Sequence, residues 1–222
     1  MTLEDLIRRY RVLSNDREKP FLTSDEEVTD WLNEAQDQAC VRGRLMREEV
    51  LPAMCRIALL PDQHTYKLHE AAYEIINLRI LPANGGCSHP VTLKSREWLD
   101  NELPGWRDDT QPARFAIQDD TTIRLVGKIT GGDVLALECY RLPIKRLRSE
   151  MDKPEIHVAH HPHLIQWALH RAFSVPDAEA FDPQRAALAE QAFTEYFGPL
   201  PDSDMRRITR HDVVHHNTVY LP

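Results

Sequence analysis

The spacing of apolar residues changes twice along this chain of 222 residues. Near both ends, apolar residues recur every three or four positions, which is typical of amphipathic helices, whereas the middle shows short alternating runs that are typical of strands. Turn residues separate the middle runs at intervals of about 8–12 residues. Because helices flank a run of strands, the pattern predicts an α+β fold in which a β unit is inserted between helices.

The first part of the chain predicts two helices. The first helix covers about residues 2–13 and has Thr2 as its cap. The second begins after Ser24, which forms a capping box with Glu27. We expect this helix to run to about Glu49, because a proline at position 52 cannot lie inside a helix. Its predicted polar face consists of Asp30, Asn33, Glu34 and Asp37.

Two more helices are predicted near the other end of the sequence. The third has Pro162 in its first turn, a position at which helices tolerate proline, and it ends before Pro176. The fourth begins at Asp182-Pro183 and ends at Gly198-Pro199. Since all four predicted helices carry an apolar stripe, we expect them to pack together as one four-helix bundle.

The middle of the chain predicts strands joined by tight turns. The segment 82–86, which contains two adjacent glycines, is the strongest turn signal, and Ser95 begins a single capped helical turn. Hairpin signals between short strands favour a small antiparallel β-sandwich or barrel. The strands are expected at residues 65–68, 73–81, 114–118, 121–128 and 134–142.

These predictions divide the sequence into three parts. Residues 1–52 and 149–198 form the helical bundle, residues 53–148 form the inserted β domain, and residues 199–222 form an extended C-terminal arm. The arm has no sustained periodicity and cannot bury a core of its own, so we expect a neighbouring molecule to hold it. Residues that combine charge with apolar anchors are its candidate contacts. They are Arg206, Arg207, Arg210, Val219, Tyr220 and Leu221.

The charge distribution disfavours a free-standing nucleic-acid-binding protein. Such proteins carry a basic excess, whereas this chain has 27 basic and 35 acidic residues and a net charge of -8. The acidic excess lies in the predicted helical parts, since residues 1–52 hold twelve acidic and eight basic side chains and residues 149–197 hold eight and three. No segment approaches the ~18 apolar residues of a membrane helix, and we expect no signal peptide and a cytosol-like compartment.

The densest group of chemically active side chains is a run of histidines between His157 and His163. Four histidines in seven residues suggest a metal site, but Pro162 lies among them, and we expect the rings to splay. No zinc-protease, nucleophile-elbow or phosphate-loop motif is present. The adjacent carboxylates Asp108-Asp109 and Asp119-Asp120 each lie beside a turn signal and are interpreted as turn residues. A metal-dependent hydrolase that uses His157–His163 remains a remote alternative; the sequence otherwise predicts no catalytic residue, metal or cofactor.

Four segments resemble one protein family, and the resemblance covers about residues 1–198. The chain resembles the head-to-tail adaptor proteins of tailed bacteriophages, which are also called head completion or connector proteins. The resemblance is to the type that has a β insertion in a helical bundle. The run of histidines departs from the mixed polar and acidic residues usual there. The segments are DWLNEA within Ser24–Ala35, PDQHTYKL at Pro61–Leu68, SREWLD with PGW in Ser95–Trp106, and PEI with QWALHRAF in Pro154–Phe173.

The resemblance implies a structural, non-enzymatic virion protein. Such adaptors form a ring, usually of twelve copies, beneath the portal protein, where they extend the DNA channel, dock the tail or the next connector and serve genome ejection. The bundle forms the ring wall, and terminal arms reach along the portal or an adjacent subunit. DNA passes through the ring without sequence-specific binding, and no membrane is involved. The ring belongs to the neck of the virion and assembles in the cytoplasm of the host bacterium.

Two physical arguments agree with this interpretation. An acidic bundle that lines a channel repels DNA phosphates, so the duplex slides rather than binds. A ring needs a different surface patch on each side of a subunit, and a molecule made of two unlike parts provides them. The composition fits a tail-completion or neck protein on the tail side of the connector nearly as well, and this alternative stays open.

Overall fold

A computed structural model describes residues 1–176 and 178–201 of the chain. Within these residues it has six α-helices and nine β-strands, which confirms the predicted α+β class. The helices are α1 (Leu3–Ser14), α2 (Asp25–Gly43), α3 (Pro52–Cys55), α4 (Arg96–Glu102), α5 (His161–Ser174) and α6 (Pro183–Phe197). The strands are β1 (Arg47–Glu48), β2 (Arg56–Ala58), β3 (Thr65–Lys67), β4 (Ala72–Leu81), β5 (His89–Pro90), β6 (Thr92–Leu93), β7 (Phe115–Gln118), β8 (Thr122–Val126) and β9 (Val134–Arg141).

Local capping chemistry sets the beginnings of the long helices. Thr2 forms a capping box with Asp5 at the start of α1, and Ser24 forms one with Glu27 at the start of α2. The Asp182 side chain accepts hydrogen bonds from two backbone amides in the first turn of α6. Each box satisfies amides that have no partner inside the helix, so these starts agree with the sequence prediction.

The predicted end of α2 is wrong. The helix stops at Gly43 rather than near Glu49, because Arg44 adopts a left-handed conformation with a φ of 49°. A left-handed residue after a glycine is a common helix terminator that reverses the chain direction. The following residues form β1, and Pro52 begins the short helix α3 instead of ending α2.

Helices from both ends of the sequence share one apolar core. Residues 1–48, 71–74 and 140–200 form a compact unit, which we call the helical unit. Leu6 and Tyr10 of α1 are fully buried there, as are Leu32 of α2 and Phe193 of α6. The Trp167 ring of α5 lies 5.1 Å from that of Phe193, between ring centroids. Aromatic and aliphatic burial therefore joins segments that are more than 100 residues apart in the chain.

The strands form two separate sheets, and the barrel prediction is wrong. One sheet has the order β1-β9-β4-β5, with β2 also paired to β9, and the other has the order β3-β8-β7-β6. The consecutive strands β8 and β9 lie in different sheets and do not form the predicted hairpin. The chain bends out of the second sheet at Gly127, where φ is +110°, a value that favours glycine.

One strand pair is parallel rather than antiparallel. Strand β6 pairs with β7 in parallel, with Thr92 opposite Phe115, because α4 and the Trp106 turn form a crossover between them. This crossover packs on its own small core in a second compact unit, residues 49–70 and 75–139, which we call the β unit. The core consists of Leu99, Trp106, Ile117 and Val126. None of the described helices has both the length and the apolar character needed to cross a membrane.

Candidate functional site

The predicted contacts of the C-terminal arm lie outside the described residues. This applies to Arg206, Arg207, Arg210, Val219, Tyr220 and Leu221, all of which belong to residues 202–222. The candidate surfaces for interaction are therefore those of the helical unit and the β unit themselves.

The histidines do not converge on one point. The Nδ1 atom of His160 lies 3.2 Å from the hydroxyl of Tyr196, and the ring of His163 stacks on the Tyr196 ring with centroids 3.4 Å apart. His161 is buried, and its Nε2 atom lies 2.9 Å from the carbonyl oxygen of Ile156. Within the described residues, no group of three or more histidine, cysteine or acidic side chains is arranged to hold a metal ion. His160 and His163 therefore pack against Tyr196 of α6, whereas His161 is bonded to the segment that precedes α5.

The adjacent carboxylates are engaged in turns of the β unit. Asp109 accepts a hydrogen bond of 2.9 Å from the backbone amide of Gln111. Asp119 forms an ion pair of 2.9 Å with Arg96, and its amide donates to Thr122 across the β7–β8 turn. These contacts agree with the turn interpretation.

One candidate surface is a groove of about 750 Å³ on the helical unit. It lies between α1, the first turns of α2 and the segment 147–150, and its size matches clefts that bind ligands or short peptide segments. Its apolar lining from α1 and the loop that follows consists of Leu3, Ile7, Val12 and Phe21. Its charged side chains are Glu4, Arg8, Arg11, Arg17, Asp25, Glu26, Asp30, Arg148 and Glu150.

A buried arginine fixes one wall of the groove. Only 6% of Arg11 is exposed, and its guanidinium donates hydrogen bonds to Asp16 and, over 2.5 Å, to Asp25. The guanidinium also lies 4.1 Å from the centroid of the Phe21 ring, a cation–π geometry. Asp16 in turn accepts hydrogen bonds from the amides of Leu22 and Thr23. One charge network thus joins α1, the loop after it and the start of α2.

The rim of the groove carries negative charge that is not neutralised locally. Among the described residues, the carboxylates of Glu4, Glu26, Asp30 and Glu150 form no ion pair. Arg8 is paired with Asp5 at 2.7 Å, whereas Arg17 and Arg148 have no acidic partner in the described part of the chain. Four carboxylates against two arginines favour a cationic occupant.

The groove continues along α2. A second hollow of about 460 Å³ shares Asp30, Leu147 and Arg148 with the first and extends to Asp37. The two hollows together follow the helix from Asp25 to Asp37, a length of about 18 Å at the helical rise of 1.5 Å per residue. An elongated site of this kind suits an extended peptide better than a compact small molecule.

The predicted polar face of α2 also anchors another part of the chain. Residues 142–153, which we call the strap, cross this face before α5. The side-chain amide of Asn33 donates to the carbonyl oxygen of Leu147 over 3.0 Å and accepts from the Leu147 amide over 2.9 Å. Asp37 pairs with Arg146 of the strap at 2.6 Å. An asparagine inside a helix is unfavourable for helix propensity, and this is the sequence signal that indicates such a partner.

The far end of the strap holds the start of α1. The carboxylate of Asp152 accepts hydrogen bonds from the amides of Arg148 and Ser149 at 2.9 and 2.8 Å. These bonds, with an ion pair to Lys145, lower the pKa of Asp152 to about 2. The carbonyl oxygen of Asp152 accepts from the Leu3 amide over 2.8 Å. The strap therefore forms one border of the groove and fixes the first turn of α1.

Comparison with known proteins gives one family match. A family model described as SU10 adaptor protein matches residues 1–215, which is nearly the whole chain. Among curated proteins, none matches the chain.

Proposed function

Because the chain belongs to the SU10 adaptor protein family, a family of phage head-to-tail adaptors, we propose that it forms a ring beneath the portal protein and docks the tail. Membership confirms the resemblance seen in the sequence and gives the chain a structural role in the virion. The observation that carries the proposal is the extent of the match, which includes both the helical and the β segments.

In the proposed ring, residues 1–52 and 149–198 form a four-helix bundle that builds the wall, with 53–148 as an inserted domain. Twelve copies surround the DNA channel, and the chain acts as a non-enzymatic component of the neck, assembled in the host cytoplasm. The net charge of -8 supports a channel through which DNA passes without sequence-specific binding. The arm residues Arg206, Arg207, Arg210, Val219, Tyr220 and Leu221 contact the portal or an adjacent subunit.

The test is assembly with the other neck proteins of the same phage. Full-length chain is mixed with portal rings, and the product is examined by native mass spectrometry and electron microscopy. A closed ring on the portal supports the proposal. If the chain does not bind the portal but binds the tail protein, it belongs instead to the tail side of the connector.

A further inference from the structure

The groove on the helical unit has an acidic rim, and the sequence contains one short stretch with the opposite charge. We propose that the groove binds residues 205–211 of a second copy of this chain, so that successive subunits of the ring are joined by the segment that follows α6. This inference rests on the proposed ring, and it names the surface that receives the arm.

Charge complementarity favours this occupant. Residues 205–211 contain Arg206, Arg207 and Arg210 and no acidic residue. The groove offers four carboxylates without an ion pair among the described residues, on α1, α2 and the strap. The acids that flank the basic stretch, Asp204 and Asp212, match the two unpaired groove arginines. Both signs of charge therefore find partners when the stretch lies in the groove.

The dimensions agree with an extended segment. At about 3.3 Å per residue, Arg206 and Arg210 lie about 13 Å apart in a strand-like conformation. The two hollows follow α2 for about 18 Å, so both arginines fit within the length of the groove. Ile208 falls on the same side of an extended chain as the two arginines, because side chains alternate. It is therefore positioned to contact the apolar part of the groove, which includes Leu3 and Ile7.

A second copy is the occupant that the proposed ring favours. Successive subunits of a closed ring must meet through two different surface patches, and the basic stretch and the groove are two such patches of one chain.

Photo-crosslinking tests the proposal in the full-length protein. A benzoylphenylalanine replaces Ile208, and an equal mixture of this variant and isotope-labelled wild-type chain is assembled on portal rings. The expected product joins position 208 to residues 3–37 or 147–150 of a labelled copy. Crosslinks within one chain, to a sheet edge of the β unit or to the portal would overturn the proposal.

A charge reversal gives an independent readout. Asp30→Lys with Glu150→Lys is expected to lower the crosslink yield about tenfold, the order of effect of two exposed ion pairs replaced by repulsion. Adding Arg206→Glu and Arg207→Glu is expected to restore it. The matched control, Glu190→Lys with Glu195→Lys, makes the same charge change on exposed acids of α6. An equal loss in the control, or no rescue by the arm variant, would refute the assignment.

Portal binding is measured on the same samples and separates the two hypotheses. If the chain forms a ring on the portal but the benzoylphenylalanine at position 208 crosslinks outside the groove, the inference is disproved and the proposed function is left intact. A wild-type chain that does not bind the portal contradicts both.

Discussion

At the scale of single residues, Arg11 is a buried side chain that contacts α2 and the loop after α1. It pairs with Asp16, which is buried as well. Burying a charged side chain costs free energy unless the charge is paired. Removing one partner of a buried pair therefore leaves the other charge buried without compensation. The periodicity of α1 places this residue on the apolar stripe, but spacing alone does not identify the partner in the following loop.

We predict that Arg11→Ala lowers the free energy of unfolding by about 3–5 kcal/mol, because it leaves the buried Asp16 carboxylate unpaired. Urea denaturation followed by circular dichroism measures this change. Arg8→Ala is the matched control in the same helix, since Arg8 forms an exposed pair with Asp5. Equal losses in the two variants would show that the buried network is not important for stability.

The histidines at the start of α5 predict a loss of stability in mild acid. Burial lowers the pKa values of His160, His161 and His163 below the ordinary value of 6.5. The unfolded chain then binds more protons than the folded one as the pH falls through 6.5, so acid favours unfolding. We expect the melting temperature to fall between pH 7.5 and 5.5. A variant with all three histidines replaced by asparagine should lose part of this dependence; an unchanged profile would contradict the assignment.

At the scale of elements, the starts of the long helices and the end of α6 at Gly198 could be predicted, whereas the end of α2 and the pairing of the strands could not. Capping boxes are short-range chemistry, and Thr2, Ser24 and Asp182 begin helices as their sequences predict. The end of α2 at Gly43 depends on the backbone conformation of the next residue, which no sequence motif specified. The division of the strands into two sheets depends on contacts between residues that are distant in sequence. Local turn signals therefore wrongly predicted a hairpin between β8 and β9.

Gly127 provides a test of the bend between the two sheets. A Cβ atom at this position would lie 2.6 Å from the carbonyl oxygen of Gln111, in addition to the strain of a φ of +110°. We predict that Gly127→Ala destabilises the protein by more than the ~1–3 kcal/mol of the backbone strain alone. Gly85→Ala is the control, because Gly85 has a φ of +73° but no atom within 4 Å of its Cβ position. Similar unfolding midpoints for both variants would contradict the clash.

The strap predicts a local effect on α1. Asp152→Asn removes the negative charge of a side chain that accepts hydrogen bonds from two backbone amides and pairs with Lys145. The substitution should therefore destabilise the strap and, with it, the first turn of α1. We expect faster hydrogen exchange at the amide of Leu3, which donates to Asp152. Glu150→Gln is the control in the same strap, because the Glu150 carboxylate forms no ion pair among the described residues. Equal exchange rates would show that the Asp152 charge does not order α1.

At the scale of the whole molecule, the sequence alone is sufficient to indicate the family but not the groove. Motifs such as DWLNEA lie within α2 and are visible as a continuous string. The groove combines α1, α2 and the strap, whose members are separated by more than 100 residues, and only tertiary packing brings them together. The predicted arm contacts fall outside the described residues, so the arm remains a proposal.

The overall charge predicts weak interaction with DNA. With a net charge of -8, the chain is expected to show no sequence-dependent binding to duplex DNA and to bind no more tightly than the roughly 10⁻⁴–10⁻⁶ M typical of non-specific binding. Fluorescence anisotropy with two unrelated duplexes at physiological salt measures this. A difference in affinity between the duplexes would contradict a passive channel role.

The shared core of the helical unit also fixes an order of events during synthesis on the ribosome. Helices α1 and α2 are complete by Gly43, but their partner α6 ends only at Phe197. At 5–20 residues per second, translation of the intervening part takes roughly 8–30 s. The apolar stripes of the first two helices therefore stay exposed while the β unit is synthesised and folds, so we expect chaperones to bind the nascent chain until α6 has left the exit tunnel.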